Sequence, residues 1–478
     1  MQVPRRLVSL ALVILALGMG SASASNAPRE SIEAFIDDAM PASGVPGLAY
    51  AVVADGNVAT AGARGVVKLG GDTAITPETP FVIGSISKSM TALAVMQLVE
   101  AGKIDLDTVL GQVLDGFSGR PAGAITIRQL LGHTSGFSTR QGNARHTDAT
   151  GELDDLERGV HRLAEVTPAY QPDETWDYSN ANYQILGRVI EVVSGQEYQT
   201  YVATHILEPV GMSDSFVADG DIHPSMATGH RPWFGTKRPV SDTTTDRVTA
   251  PQGGIVASAN DLARYLGMMM NGEEDVLSAE GKALMMRPAS ALSPNYGFGW
   301  NLDPGAGVVW HDGVSPGVET LATMLPAQKT AVIVLVNGGS GMGFGETAHL
   351  RVGISDRALG LGYDSGGIGW PRQALFILLV ILPIFYLLGI IKVWVDRAKV
   401  RAKTGAVATF SLWFPLLTTG AAAWVLIGLV PSLFGTSIGP LVDFSPDLAL
   451  ALVTSGVGGV LLTGFRIGVA YTGRVRRI

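Results

Sequence analysis

The sequence predicts a mixed α/β protein of the α+β type, followed by three transmembrane helices. Alternating apolar residues, which are typical of strands, stand near both ends of residues 25–365, and apolar residues at helical spacing dominate between them. Beyond Pro371 three long apolar stretches carry no charged residue: 374–391, 406–430 and 448–465. Because about 20 apolar residues span a bilayer, we expect a membrane domain over 372–478, with helices near 374–395, 406–430 and 448–470.

Residues 1–24 have the pattern of a signal peptide. A pair of arginines precedes the apolar run Leu7–Leu17, and the small residues Ser21–Ala24 follow it. This order of segments predicts cleavage after residue 24, with an uncleaved anchor as the alternative. In either case we expect the next domain, residues 25–365, to be exported from the cytosol.

The charges beside the spans predict their orientation. The loop between the first two spans is basic, the next loop holds Asp443 and Asp447 without a basic residue, and the C-terminal tail is basic. Cytosolic loops carry the excess of Lys and Arg, so we expect the first loop and the C-terminus in the cytosol and the domain at 25–365 outside. The basic residues are Arg397, Lys399, Arg401, Lys403, Arg474, Arg476 and Arg477.

The composition excludes several classes of function. The chain carries a net charge of −8, and residues 7–369 alone carry −17 because both ends of the chain are basic. Such an acidic domain repels phosphate backbones, so nucleic acid is not an expected partner. The absence of cysteine excludes disulfides, thiolate zinc sites and cysteine nucleophiles. No spacing of ligands indicates a metal site or an organic cofactor.

Within residues 25–365 the elements run from a helix and a β-hairpin, through helices, to a group of strands. Thr126, Asn260 and Ser278 are predicted N-caps, and Gly102 and Gly195 are predicted helix ends. The predicted helices cover 32–39, 85–101, 104–114, 127–131, 183–190, 198–207, 260–270, 278–286 and 346–361. The predicted strands cover 48–53, 58–67, 296–302, 308–311, 319–325 and 331–336.

The stretch around Ser85 contains the candidate nucleophile. In a helix that starts at Ser85, residues three apart lie on one face, so the Lys88 amine lies beside the Ser85 hydroxyl. A serine hydroxyl is a good nucleophile only when a neighbouring base takes its proton, and a lysine is a base only when it is neutral. We therefore expect Lys88 to be desolvated. Ser-x-x-Lys also occurs on solvated helix faces, so the motif needs further partners.

Two loops contain further candidate residues. Residues 132–150 are rich in Gly, Ser, Thr and Asn, and we expect His133 in this loop to bond the backbone of a turn rather than to react. Tyr178 and Asn180 stand at the start of a predicted helix. A tyrosine in such a position is more often half-buried packing than a reactive group, so its role depends on what lies beside it.

The stretch 308–313 predicts a strand edge that ends in Gly313, a residue that lets another backbone approach closely. An extended substrate can pair with such an edge. If it lies antiparallel, its carbonyl falls between the backbone N–H groups of Ser85 and Val314. These two donors are suited to a developing oxyanion.

Together these motifs resemble those of the serine β-lactamase and penicillin-binding-protein superfamily, and specifically of the class C β-lactamase-like serine hydrolases. The resemblance covers about residues 30–362. It implies an antiparallel sheet flanked by helices plus an all-helical lobe, with the Ser85 helix starting at the seam. The three matching motifs are Ser85-x-x-Lys88, Tyr178-x-Asn180 and His311-x-Gly313.

The resemblance implies acyl transfer through a serine ester, with Ser85 attacking and with Lys88 and Tyr178 moving the protons. Which of Lys88 and Tyr178 is the main base stays open, because two coupled groups share their titration. His311 stands where β-lactam-hydrolysing relatives usually have a lysine that holds the substrate carboxylate. This difference favours the peptidase, amidase and esterase branch. The implied substrate-binding residues are Asn180, which would hold an amide, His311 and Gly313.

The three spans add a narrower resemblance in architecture, to periplasmic peptidases that mature nonribosomal-peptide prodrugs by removing an acylated D-amino acid. The resulting hypothesis is a serine hydrolase anchored in the cytoplasmic membrane of a bacterium, acting outside the cytosol on D-amino-acid-containing or acylated peptides. An esterase or a weak β-lactamase is one alternative. A non-catalytic β-lactam sensor or interaction module is another, although a sensor needs a cytosolic output domain and the cytosolic segments are too short for one. The expected partners are a small-molecule or peptide substrate and membrane lipid, and the spans leave a homo-oligomer open.

Overall fold

The structure, a computed structural model, describes residues 32–144, 155–221, 223–240, 246–362 and 369–472. The described residues fall into two units. The first covers 32–341 and 345–362, and the second covers 342–344 and 369–472. The predicted signal peptide, residues 1–24, lies outside the described residues, and so does the basic tail at 473–478.

Six of the described strands form one antiparallel sheet in the first unit. The strands are β1 Gly47–Ala54, β2 Asn57–Gly65, β3 Phe81–Val82, β4 Phe216–Val217, β5 His230–Trp233, β6 Thr236–Pro239, β7 Ile255–Ala257, β8 Asn301–Asp303, β9 Val308–Ser315, β10 Val318–Leu325 and β11 Thr330–Val336. The order in the large sheet is β2-β1-β11-β10-β9-β8. The first hairpin of the chain therefore pairs with its last strand. A small sheet has the order β3-β7-β4, and β5 pairs with β6.

Helices pack on the large sheet, and most of them lie in the stretch of sequence between its first two strands and its last four. They are α1 Ile32–Ser43, α2 Ser87–Glu100, α3 Leu110–Val113, α4 Ile127–Leu131, α5 Thr139–Asn143, α6 Asp155–Ala164, α7 Asn180–Ser194, α8 Tyr198–Val202, α9 Glu208–Val210, α10 Ala250–Gly253, α11 Ala259–Met270, α12 Ala279–Met285 and α13 Ala348–Leu359. A short π-helical segment, Ala203–Leu207, continues α8. This arrangement confirms the predicted fold class.

The residues of β1 and β11 alternate between two apolar layers because successive strand side chains point to opposite faces. Leu48 of β1 and Val334 of β11 pack with Phe35 of α1 and Ile354 of α13. Neighbouring residues such as Ala49 and Ile333 belong to the larger core that also contains α2 and α11. A sheet buried on both faces explains why β11 is almost continuously apolar.

The predicted helix boundaries are mostly correct. Thr126 caps α4 through a capping box with Gln129, Ser278 caps α12, and Gly195 ends α7 with φ +74°. The predicted cap at Asn260 is wrong, because α11 begins one residue earlier. Its cap is Ser258, whose hydroxyl accepts the Asp261 N–H.

Two predicted elements are shorter than expected. Most of 104–114 is not helical, and only α3 forms there. Of the predicted strand 296–302, only β8 and an isolated bridge at Tyr296 pair with other residues. Both stretches are rich in turn residues, and tertiary contacts rather than local periodicity decide their conformation.

The second unit contains three helices that are long and apolar enough to cross a membrane: Gly369–Val395, Ala406–Leu433 and Pro446–Tyr471. This finding confirms the three predicted apolar helices. Glycines of the third helix allow close packing, since a Cβ on Gly458 would lie 2.9 Å from Tyr386 of the first helix and one on Gly456 would lie 3.0 Å from Ile427 of the second. The unit's helical segments are α14 Gly369–Val395, α15 Arg397–Arg401, α16 Ala406–Trp424, α17 Val430–Leu433, α18 Ile438–Phe444 and α19 Pro446–Tyr471, and a π-helical segment, Val425–Leu429, joins α16 to α17 in the second long helix.

A buried ion pair ties α13 to the large sheet. The Arg351 guanidinium lies 2.6 Å from Glu319 of β10, and both residues are buried. Burial raises the pKa of Glu319, but the charge of Arg351 and hydrogen bonds from Ser340 and Thr347 outweigh it and keep the pKa below its usual range. Removing one partner of such a pair leaves an uncompensated buried charge.

We therefore predict that Glu319→Ala lowers the free energy of unfolding by about 3–5 kcal/mol, because Arg351 is left buried without its carboxylate. The matched control is Asp37→Ala, which breaks the exposed pair between Asp37 and Arg64 and should cost less than about 1 kcal/mol. Thermal unfolding of the detergent-solubilised full chain measures both. Equal losses for the two variants would contradict the prediction.

Candidate active site

Ser85 lies in a 3₁₀ turn, Gly84–Ile86, between β3 and α2. The predicted helix therefore begins two residues later than expected, at Ser87, but the turn keeps Ser85 and Lys88 on the same side. Gly84 has φ +57°, a left-handed conformation that favours glycine. A Cβ at Gly84 would also lie 2.6 Å from the backbone nitrogen of Val314. Glycine at this position lets the turn approach β9 closely.

Hydrogen bonds hold the turn from two sides. The Ile83 N–H donates to the Ile255 carbonyl at 2.9 Å, and the Ile83 carbonyl accepts the Thr320 hydroxyl at 2.8 Å. Ile255 belongs to the small sheet and Thr320 to the large one. Ser85 is therefore fixed where the two sheets meet, and it is partly exposed while its neighbours are buried.

Lys88 is completely buried in the first turn of α2. Its Nζ lies 2.9 Å from Ser85 Oγ and donates a hydrogen bond to the Gln252 carbonyl at 2.7 Å. Burial lowers the pKa of Lys88 well below its ordinary value, and the negative charge of Asp312 offsets this only in part. Lys88 is therefore desolvated, as predicted. Because desolvation disfavours the charged form, the amine can be neutral and accept a proton.

Tyr178 completes a triangle with Ser85 and Lys88. Lys88 Nζ lies 4.9 Å from the centre of the Tyr178 ring, and the Ser85 side chain is close enough to the phenol to affect its pKa. Burial raises the pKa of Tyr178 well above its ordinary value, and the Ser85 side chain lowers it by less. The phenol is therefore protonated at neutral pH. The three predicted catalytic side chains come together.

His133 positions the loop that carries Tyr178. Its Nδ1 accepts the backbone N–H of Ser179 at 3.1 Å, and its ring packs on the Tyr178 ring with centroids 4.4 Å apart. The Thr139 hydroxyl donates to the Tyr178 carbonyl at 2.6 Å. Burial lowers the pKa of His133 well below its ordinary value, so the ring is neutral. The backbone-bonding role predicted for His133 matches this contact.

Asn180 lies at the start of α7, two residues after Tyr178, and is partly exposed. Its Nδ2 donates to Asn143 Oδ1 at 2.9 Å. This bond orients the amide. The close packing of α5 against this turn requires Gly142, since a Cβ there would lie 2.7 Å from the Asn180 nitrogen.

His311 lies on β9 and is buried. Its Nδ1 donates to the Asp312 carbonyl at 2.6 Å, and its Nε2 lies 3.3 Å from the Tyr296 hydroxyl, which donates to it. Burial lowers the pKa of His311 to about 4, although Asp312 raises it. The imidazole is therefore neutral at neutral pH. It cannot hold a substrate carboxylate as a cation would.

Gly313 lies where the Ser85 turn packs on β9. A Cβ at Gly313 would lie 1.9 Å from the Ile83 carbonyl oxygen and 2.3 Å from Thr320 Oγ1. Any larger residue would push the turn away from the strand. Gly313 therefore permits the approach of the turn, and the Val314 nitrogen lies beside that turn.

Two groups at this site were not predicted as site residues. Gln252 acts through its backbone carbonyl, which every residue has, so no sequence signal could have identified it. Tyr296 bonds His311 and belongs to the run Tyr296–Trp300, whose density of aromatic residues and glycine was the available signal. In the part of the chain that the structure describes, no group of three His, Asp or Glu residues is placed to hold a metal ion.

Comparison with known proteins independently supports the family resemblance that the sequence motifs indicate. The beta-lactamase family model matches residues 32–354. Penicillin-binding protein 4 of Amycolatopsis lactamdurans is 33% identical over 322 residues, which cover 63% of this chain and 83% of that protein.

Solved structures with this fold include penicillin-binding proteins, SurE and one hydrolase. The octameric penicillin-binding protein homologue from Pyrococcus abyssi is 28% identical, with a TM-score of 0.58 over 73% of this chain and 80% of that one. SurE with D-Leu is 25% identical, with a TM-score of 0.56 over 71% and 76%. EstCE1, a hydrolase with promiscuous acyltransferase activity, shares the fold at 21% identity, with a TM-score of 0.57 over 68% and 97%. Since the family model covers more than half of the chain, this protein belongs to the beta-lactamase family of serine hydrolases.

Proposed function

We propose that the protein is a membrane-anchored serine hydrolase that works outside the cytosol through an acyl-enzyme on Ser85. Its proposed substrates are D-amino-acid-containing or acylated peptides, which it cleaves as a peptidase or amidase. The observation that carries the proposal is the 2.9 Å contact between Ser85 Oγ and the amine of the completely buried Lys88. That contact supplies a nucleophile and a base without any further group.

Acylation begins when neutral Lys88 takes the Ser85 proton and Oγ attacks the substrate carbonyl. The pKa directions favour Lys88 as the base, since burial lowers the pKa of Lys88 and raises that of Tyr178. The carbonyl oxygen becomes negative and lies between the N–H groups of Ser85 and Val314. A positioned base contributes roughly 10²–10⁴-fold and one oxyanion donor roughly 10²–10³-fold.

Expulsion of the leaving amine needs a proton, and in this proposal Tyr178 gives it. The protonated phenol donates to the leaving nitrogen as the C–N bond breaks, and the proton that Lys88 gained from Ser85 restores the phenol. Water then attacks the acyl-Ser85 ester. Lys88 takes the proton of that water and returns it to the Ser85 oxygen as the ester C–O bond breaks.

The substrate class rests on two lines of support. SurE, whose structure contains D-Leu, and penicillin-binding relatives share this domain. Asn180 lies beside Tyr178 with its amide oriented, which suits a hydrogen bond to a substrate amide. An esterase is the alternative, because the same acyl-enzyme chemistry cleaves esters.

The three apolar helices support membrane association, and anchoring would raise the local concentration of a lipid-tailed substrate. We propose an orientation with the C-terminus in the cytosol, from the positive-inside pattern. The octameric homologue from Pyrococcus abyssi supports a homo-oligomer as a further proposal.

We predict that a fluorophosphonate activity probe labels Ser85 and that Ser85→Ala abolishes both labelling and turnover. The intact mass of the detergent-solubilised protein, followed over time after one dose of an acylating substrate, measures the fate of the acyl-enzyme. A hydrolase loses the added mass within its turnover time. An adduct that persists for hours would indicate the non-catalytic sensor instead.

Lys88→Arg should reduce kcat/KM by about 10²–10⁴-fold, because a guanidinium does not give up its proton in proteins. In the wild type, kcat/KM should rise with pH as Lys88 loses its proton and should level off above the lowered pKa of Lys88. Lys103→Arg, an exposed change of the same kind, is the control. A Lys88→Arg variant with wild-type kcat/KM would exclude Lys88 as the base.

Penicillins and nitrocefin should be poor substrates, since neutral His311 provides no cation for the carboxylate of a β-lactam. We expect kcat/KM for nitrocefin to lie at least about tenfold below that for an N-acyl-D-amino-acid amide, the effect of one missing ion pair. Steady-state rates of both substrates measure the ratio. Fast nitrocefin hydrolysis would favour the β-lactamase alternative.

A further inference from the structure

Asp312 is a charged residue beside the candidate active site that the proposed chemistry does not use. It follows His311 on β9, its side chain is 45% exposed, and its Oδ1 lies 4.0 Å from His311 Nδ1. The Asp312 carboxylate is therefore half-exposed and is not part of a buried ion pair. A half-exposed carboxylate next to a reacting centre can meet a ligand.

The charge of Asp312 affects several titratable groups of the candidate site. Its negative charge raises the pKa of Lys88, Tyr178, Tyr296 and His311. Lys88 and His311 are neutral for the reasons given above, so neither of them compensates the carboxylate. The field that a substrate meets on this side is therefore negative.

The edge of β9 next to Asp312 is open to a ligand. β8 pairs only with Val308, Val309 and Trp310, and no other described strand pairs with the same edge from His311 onward. The exposed Val314, two residues after Asp312, continues this edge. An extended substrate can add to it as a further strand.

The direction of β9 decides which half of the substrate reaches Asp312. With the scissile carbonyl at the Val314 N–H, an antiparallel substrate runs toward Asp312 after the scissile bond. Two residues of strand correspond to about 7 Å. The group nearest Asp312 therefore belongs to the leaving group rather than to the acyl half.

We propose that Asp312 is a specificity-determining residue that selects substrates with a positively charged leaving group and rejects those with a carboxylate there. This inference rests on the acyl-enzyme function proposed above and names its substrate class. Asp312 is not a catalytic residue, because the proton transfers and the attack run through Ser85, Lys88 and Tyr178. It acts through charge, so a neutral side chain of equal shape removes the effect.

The test uses three N-acetyl-D-alanine esters whose alcohols differ mainly in charge. The choline ester is cationic, the 3,3-dimethylbutyl ester is its neutral isostere, and the hydroxypivalate ester is anionic. We expect the wild type to prefer the cation over the neutral ester roughly tenfold in kcat/KM, the effect of unit charges about 6 Å apart in a partly hydrated site. The anion should be the poorest substrate, and added salt should reduce the differences.

Asp312→Asn should bring the cation-to-neutral ratio close to one. Because the charge of Asp312 also raises the pKa of Lys88, the variant shifts kcat/KM for all three esters together, and the ratio rather than any single rate is the readout. The neutral ester reports on folding and on this shared effect on Lys88, because its alcohol carries no charge that Asp312 can attract or repel. Asp303→Asn is the matched control, since Asp303 pairs with Val308, four residues before Asp312 on the same strand edge. It should keep the wild-type ratio.

The outcomes separate this inference from the proposed function. A wild type without cation preference, or an Asp312→Asn variant that keeps the preference, overturns the inference while the hydrolase stands. If the wild type hydrolyses none of the esters, the proposed function fails. The role of Asp312 is then measured by binding, using calorimetry with the corresponding three amides on full-length Ser85→Ala and Ser85→Ala/Asp312→Asn protein. The Ser85→Ala protein should bind the cationic amide best and the anionic amide worst, and the double variant should lose this order. If neither protein shows the order, or if both show it, the inference is overturned.

Discussion

The burial of Lys88 next to Ser85 is the constraint on which the rest of the site depends. A charged amine in this position would need a partner carboxylate, and an unpaired buried charge costs several kcal/mol. The amine has instead a hydroxyl and the Gln252 carbonyl as neighbours. The fold thus gives up stability to keep a lysine neutral, and a neutral lysine next to a serine is what acyl transfer requires.

One side of this arrangement is held by the large sheet and the other by a turn that follows α4. The Ser85 turn can pack on β9 only because Gly84 and Gly313 have no side chain at the contact. On the other side, His133 fixes the backbone that follows Tyr178. Charge is then added at a separate position, Asp312, which lies on the open edge of β9. The charge that we propose to set substrate preference therefore also acts on the reacting groups, since it raises the pKa of Lys88.

Much of the fold could be predicted because local patterns and tertiary contacts agree there. The strands β1, β10 and β11 are buried between helical layers, so their apolar residues are continuous or alternate clearly. The caps Thr126 and Ser278 bond their own helices, which is a local interaction. The stretches 104–114 and 296–302 were predicted less well. Their conformation depends on contacts with distant residues, and periodicity does not record such contacts.

The sequence by itself determined the chemical types and their order: a serine and a lysine three residues apart, a tyrosine before a helix, a glycine in a strand, and three long apolar stretches without charge. It could do so because spacing along a helix or strand and apolar length are local properties. Only the tertiary structure decided that Lys88, Tyr178 and Ser85 meet, that the lysine has no ion-pair partner in the described residues, and that Asp312 faces the same site. Desolvation and electrostatic fields are sums over residues far apart in the chain, so no local pattern contains them.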